Sequence, residues 1–316
     1  MLDSRRLRVL CEVARHGSFS AAAAALGYTQ PAVSRQIAAL EAEVGTVLVR
    51  RVPQGAVLTD AGRLLSERGA AVLSYLQDME EELRALCGMA GGTVRLATFA
   101  SAAGSIVPRA VARFRDRYPE VALEVAMADP DESIPRLRAG EFDLVLSHDP
   151  REDPERKSQA EDVDVVALFE DPMYVAMPAG HRLCDSGSLS MSDFSSEPWM
   201  LATGQTCPDA RLFMRACHDA GFEPRIAFQN DDYGAILGFV AAGVGVALVP
   251  DIVTRAVRDD IVIRELDPAP PPRPISVILP SGFRSPAAGA MLEVLQEVGR
   301  EWVRDRPALA DRTISV

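Results

Sequence analysis

Leu7, Leu10, Cys11 and Ala14 recur at steps of three and four, which predicts an amphipathic first helix ending at His16-Gly17. Ser18 or Ser20 can cap a second, alanine-rich helix to Leu26, and Gly27-Tyr28 makes a tight turn. Thr29 then stands at an N-cap position, with Pro31 in the first turn, where a missing N–H costs little. In this third helix Val33, Ile37 and Leu40 point one way, while Pro31, Ser34, Arg35 and Ala38 point the other. One face packs and the opposite face is small and polar. Two helices joined by a short glycine turn predict a helix-turn-helix whose second helix suits a major groove. The following "VLVRRVPQGAVLT" predicts two strands around Pro53-Gln54-Gly55, a wing carrying Arg50 and Arg51.

The pattern then changes period twice. Thr59 can cap a long helix to about Cys87, in which Leu65, Val72, Met79 and Leu86 repeat every seven residues and alternate with Gly69, Leu76 and Leu83. A helix with such a stripe needs a partner, most simply a second copy of itself. Past a joint at Gly88 to Gly92, short apolar runs alternate with helical segments: "TVRLATF", a helix from about Gly104, "VALEVAM", a helix near 131–139 and "DLVLSH". A second set runs from "DVVALF" through "WMLAT", a helix near 208–219, "PRIAF", a helix near 232–242 and "VGVALVP". The extended spacer "PAPPPRP" precedes the strand "ISVILP" and a last helix from about Ala287 to Arg304. The predicted organisation is an α+β multidomain chain of three parts: a winged helix-turn-helix (1–60), a coiled-coil linker (61–90) and a two-lobed α/β domain (91–316). Lobe 1 is expected at about 91–161 and 267–316, lobe 2 at about 162–266, with parallel sheets and a hinged cleft between them.

Composition narrows the function. The 316 residues are 48% hydrophobic. They hold no apolar run of about 18 residues and no signal-like segment, so a cytoplasmic protein is expected. A net charge of -12 argues against a nucleic-acid partner, yet residues 1–60 carry seven arginines against five acidic residues. Lys157 is the only lysine, which leaves phosphate contacts to arginine, amides and hydroxyls. Five cysteines form no CxxC pair, and none of the four histidines sits in a metal-ligand pattern. No GxSxG elbow, GxGxxG, Walker loop or HExxH occurs, so no enzyme, cofactor or metal is expected. The rival classes are an enzyme built in the cleft and an exported ligand-binding protein.

The block "SFSAAAAALGYTQPAVSRQIAALEAEVGTVLVRR" followed by "LTDAG" strongly resembles the N-terminal domain of LysR-type transcriptional regulators, and "VAAGVGVALVP" supports the same family more loosely. The resemblance implies that Thr29 to Leu40 grips promoter DNA. Gln30, Pro31 and Ser34 would face base edges, Arg35 a phosphate, and Arg50 and Arg51 the adjacent groove, with Ser20 beside them. It also implies an effector domain similar to periplasmic binding proteins. A small molecule would then lie near Thr98, Ala100, Ser101, Thr203, Gly204 and Gln205, with Asn230 or Asp231 at the rim, positions where an ordinary cap or turn residue would equally stand. No arginine falls on these positions, so a carboxylate effector would rely on amides and hydroxyls. The implied partners are double-stranded promoter DNA, a small effector, further copies in a dimer or tetramer, and RNA polymerase if the protein activates; a membrane is not among them. Cys207 and Cys217 fall where the peroxide-sensing branch holds its reactive pair, but Pro208 departs from that branch, and two unpaired thiols are expected.

Overall fold

The computed structural model describes residues 2–53, 55–86, 92–128, 130–148, 163–202, 208–255, 259–282 and 284–306. Helix α1 (Ser4–His16) starts where Asp3 accepts the Arg5 amide and stops at left-handed Gly17. Ser18 caps α2 (Phe19–Leu26), and Gly27 ends it in the same left-handed form. Helix α3 (Gln30–Val44) follows, with Thr29 at its N-cap position but without a side-chain cap bond. The pattern assigns Thr29 a capping hydroxyl, whereas Pro31 already removes one amide that would need it. Val9, Leu10, Val13, Ala22, Ala23, Val33, Ile37 and Leu40 make the core of this bundle. Each large aliphatic side chain among them gains about 1.5–3 kcal/mol by leaving water. Ala22 and Ala23 are small enough to let α2 lie close against its neighbours.

Strands β1 (Val49–Val52) and β2 (Gly55–Leu58) form the antiparallel wing. Two glycines permit its attachment. A Cβ at Gly55, whose φ is 138°, would fall 2.3 Å from the Gly17 carbonyl oxygen, the same oxygen that accepts the Ala56 amide. A Cβ at Gly62 would fall 2.1 Å from the Leu48 carbonyl oxygen, so α4 (Asp60–Leu86) can start against β1 only with glycine there. Thr59 Oγ1 accepts the Gly62 amide and opens that helix.

The two lobes are mixed sheets rather than parallel ones. The first has strand order β4-β3-β5-β12-β6, from β3 (Gly92–Thr98), β4 (Val121–Met127), β5 (Leu144–Ser147), β6 (Val163–Asp171) and β12 (Arg273–Pro280). Strands β3, β4 and β5 are parallel, while β12 runs antiparallel to both β5 and β6. The predicted start of lobe 2 near 162 is therefore corrected: β6 belongs to the first sheet, because β12 returns to pair along its length. Helices α5 (Ala100–Ala103) and α6 (Ile106–Arg117) follow β3 and α7 (Pro130–Arg138) follows β4; the helix expected from about Gly104 is α6, preceded by the short α5. The second sheet has order β11-β7-β10-β8-β9: β7 (Met173–Pro178), β8 (Pro198–Ala202), β9 (Arg225–Asn230), β10 (Val246–Pro250) and β11 (Ile261–Arg264). Helices α8 (Pro208–Asp219) and α9 (Tyr233–Ala241) cover its two faces, around Trp199 and Phe213 on one side and Ile236 and Val240 on the other.

The chain passes between lobes twice, at Pro172 between β6 and β7, and through 265–272 between β11 and β12. Helix α10 (Pro286–Arg304) packs on the first sheet through Met291, Leu295 and Trp302. Ile252, in the turn after β10, enters that same lobe 1 core and ties the second lobe to the first at the hinge.

Candidate nucleic-acid interface and interlobe cleft

On α3 the buried residues Val33, Ile37 and Leu40 occupy one side. Pro31 and Arg35 are exposed on the other, Gln30 and Ser34 are half-buried, and Thr29 and Ser20 are exposed at the starts of α3 and α2. Glu41 sets the position of the wing against this helix: its Oε1 accepts the Leu48 and Val49 amides at 2.8 and 3.1 Å. Sequence spacing does not single out Glu41, because a glutamate late in a helix is ordinarily solvated. Arg50 and Arg51 are both exposed on β1. Arg51 does more than present charge: its Nη2 donates to Ser34 Oγ at 2.6 Å and its guanidinium lies 4.8 Å from the centre of the Phe19 ring. The wing and the third helix therefore form one polar surface with arginines at its edge.

Helix α4 divides the predicted apolar stripe. Leu65 packs into the helical core and Gly69 faces Leu7, so the first heptad positions serve the chain's own N-terminal bundle. Val72, Leu76, Met79 and Leu83 are exposed, together with Leu64 and Tyr75, which the heptad count leaves out. The side chain of Leu86 lies outside the described residues.

At the hinge, Asp171, Asp209 and Ser101 meet Arg273, the first residue of β12, which is 1% exposed. Its Nη2 and Nε donate to Asp171 Oδ2 at 2.6 and 3.2 Å, and Nη1 donates to both oxygens of Asp209, at 3.0 and 2.8 Å. Asp171 ends β6 on the hinge, and its Oδ1 accepts the Ile252 amide. Asp209 lies in the first turn of α8, in lobe 2, and also accepts from the Tyr233 hydroxyl at 2.8 Å. From lobe 1, Ser101 Oγ stands 3.4 Å from Arg273 Nη2, and His148 Nε2 stands 3.3 Å from Asp209 Oδ1. Phe99 packs on His148, with ring centres 4.5 Å apart.

Burial would push the Asp209 carboxyl up, but the Arg273 guanidinium and His148 reverse this and hold it below the usual carboxylate range. Asp171 goes the other way. Burial and neighbouring Asp251 outweigh Arg273, so its carboxyl stays above that range. Burial opposes the charge on Arg273, and the two carboxylates more than restore it.

The predicted effector residues separate around this cluster. Thr98 is fully buried and Ser101 lies against the cluster, whereas Ala100 is exposed. Asn230 Oδ1 accepts the Asp232 amide at the start of α9, a turn role, and Asp231 is exposed beside it. Thr203, Gly204, Gln205 and Cys207 lie outside the described residues. No arginine stands at the predicted positions themselves, but Arg273 reaches Ser101 from β12.

Comparison with known proteins matches residues 4–63 to the family described as "Bacterial regulatory helix-turn-helix protein, lysR family" and residues 88–300 to "LysR substrate binding domain". The chain belongs to the LysR family of transcriptional regulators. Among similar proteins, the probable HTH-type transcriptional regulator LrrA of Synechococcus elongatus is 31% identical over 95% of this chain and 98% of its own. The RuBisCO operon transcriptional regulator of Allochromatium vinosum is 30% identical over 94% and 96%. Among solved structures, a full-length OxyR variant from Pseudomonas aeruginosa superimposes with a TM-score of 0.72 at 21% identity, covering 95% of each chain, a likeness of fold.

This LysR regulator is thus a DNA-binding protein with an effector-type domain and not an enzyme. Among the described residues no helix is long and apolar enough to cross a membrane, and no cluster of side chains suits a metal ion. Cys217 is fully buried on α8, and burial pushes its thiol up to about 12, the opposite of the depressed value that makes a thiolate reactive.

Proposed function

We propose that this regulator reads promoter DNA with Gln30, Pro31 and Ser34 at base edges and with Ser20, Thr29, Arg35, Arg50 and Arg51 at the flanking backbone and groove. The observation that carries the reading is the single polar surface of α3 and the wing, joined by the Arg51–Ser34 bond and opposite the buried side of the helix. Glutamine can pair with adenine, and arginine neutralises phosphate in a chain almost without lysine. The protein works in the cytoplasm as a dimer through the exposed stripe Val72, Leu76, Met79 and Leu83 with Leu86, and as a tetramer of such dimers. A small effector enters between the lobes near Thr98 and Ser101, with Thr203, Gly204 and Gln205 opposite, and changes the lobe angle; RNA polymerase is a further partner where the outcome is activation.

The test is binding to duplex DNA over a range of salt. Arg35→Ala weakens binding to all duplexes and lowers the slope of log affinity against log salt by about 0.9, one phosphate. An unchanged slope removes Arg35 from the backbone contacts. Gln30→Ala and Ser34→Ala instead reduce preference for the cognate site by about 1–3 kcal/mol. Equal displacement of these variants and the parent by competitor DNA refutes the assigned face.

A further inference from the structure

In the charged cluster at the hinge, Arg273 and Asp209 are coordinated from within. Asp209 Oδ1 accepts from Arg273 and lies 3.3 Å from His148 Nε2, and Oδ2 accepts from Arg273 and Tyr233. The Arg273 guanidinium is directed to Asp171 on one edge and Asp209 on the other. A charged ligand therefore enters only by replacing a member of the set. A cation would compete with Arg273, which is anchored by its own strand β12 in register beside Asp171. An added anion, with both aspartates retained, would place a third negative charge around one guanidinium, at a large desolvation cost. Substitution of one carboxylate by another adds no buried charge.

The two carboxylates are not equally replaceable. Asp171 belongs to the hinge strand and is held by the Ile252 amide as well as by Arg273. Asp209 is carried by α8 of the second lobe and lies 3.3 Å from His148 of the first. We infer that Asp209 is a tethered stand-in for an effector's carboxylate: a carboxylate-bearing effector takes its place on Arg273 and releases α8 from the hinge. This rests on the reading of the cleft as the effector site. The exchange supplies a differential contact between two lobe arrangements, which any ligand needs in order to shift them. It also accounts for a buried arginine at the hinge, since its flat pair of donors suits one incoming carboxylate as well as the resident one.

The experiment uses the full chain and acetate as the probe, with acetamide and methylammonium chloride at matched ionic strength as neutral and cationic controls. Asp209→Ala leaves one side of Arg273 open, so acetate raises its melting temperature saturably by several degrees, acetamide and methylammonium do not, and the unsubstituted protein responds far less. The Asp209→Ala, Arg273→Gln double variant loses the acetate response. Should Asp209→Ala accumulate only as insoluble protein, its recovery in soluble form with acetate supports the exchange, and Asp209→Asn, which keeps the shape and the Tyr233 contact, gives a smaller acetate response of the same specificity. The inference is overturned if neither variant responds to acetate more than the parent does, or if the response survives loss of Arg273. Acetate rescue depends on the guanidinium alone. It therefore fails separately from the cleft reading, which Ser101→Leu tests with a metabolite.

Discussion

Arg273 is held by two carboxylates whose partners lie far away in sequence, and its removal strands both in the interior. Arg273→Leu should cost about 3–5 kcal/mol, the usual penalty for breaking a buried ion pair from one side, read as a lower urea midpoint. The two aspartates respond oppositely to acid. The Asp209 carboxyl is held low, so its contribution is complete above the ordinary carboxylate pKa and is lost as the pH falls through the folded value. The Asp171 carboxyl is held high, so its ionised form is the costly one at neutral pH, and protonation relieves that cost. The stability gap between the parent and Asp209→Asn should accordingly be widest near pH 7 and narrow as the pH falls below the ordinary carboxylate value of ~3.9; a gap that widens in acid contradicts the assignment. None of this was legible locally. Arg273 stands in "PAPPPRP", where prolines announce a spacer and an arginine is ordinarily solvated. Its partners at 171 and 209 come close only when β12 pairs with β6 and α8 closes on the hinge. Val33, Ile37 and Leu40, by contrast, declare their buried side through spacing alone, because one helix contains the whole pattern.

Among the elements, α4 and β1 meet at a point that tolerates no side chain. Gly62→Ala would drive a Cβ into the Leu48 carbonyl and should destabilise the DNA-reading unit by several kcal/mol, although alanine favours helix over glycine by about 1 kcal/mol; a gain in stability would show that α4 can shift. Farther along the same helix, charged residues at Leu76 and Leu83 should dissociate the dimer in analytical ultracentrifugation and abolish tight operator binding. A double variant still dimeric at low micromolar concentration rules the stripe out. The heptad count found the stripe but not its division, since Leu65 and Leu64 are one residue apart and only packing against the bundle decides which is inward. Strands β7 and β11 were likewise hidden: "MYVAMP" is continuously apolar and "IVIR" is four residues long, so neither alternates in the way an exposed strand does.

For the whole molecule, an effector bound in the cleft should stabilise the fold. At one hundred times its dissociation constant the linkage relation gives about 2.7 kcal/mol, which a thermal-shift screen of metabolites detects. Ser101→Leu should erase that shift and leave operator affinity without ligand nearly unchanged, because α3 and the wing have a core of their own; a normal response in this variant places the site elsewhere. The unbroken run of α4 from the bundle core at Leu65 to the exposed stripe has a further consequence. A rigid helix transmits rotation as well as distance: each added residue advances the DNA-reading unit about 1.5 Å and turns it about 100° relative to whatever the stripe grips. One alanine inserted after Ala71 should thus leave dimers intact yet point the paired reading heads away from a common DNA face. Seven inserted residues bring the heads back to within about 20° of their starting azimuth, and binding should return on operators with wider half-site spacing.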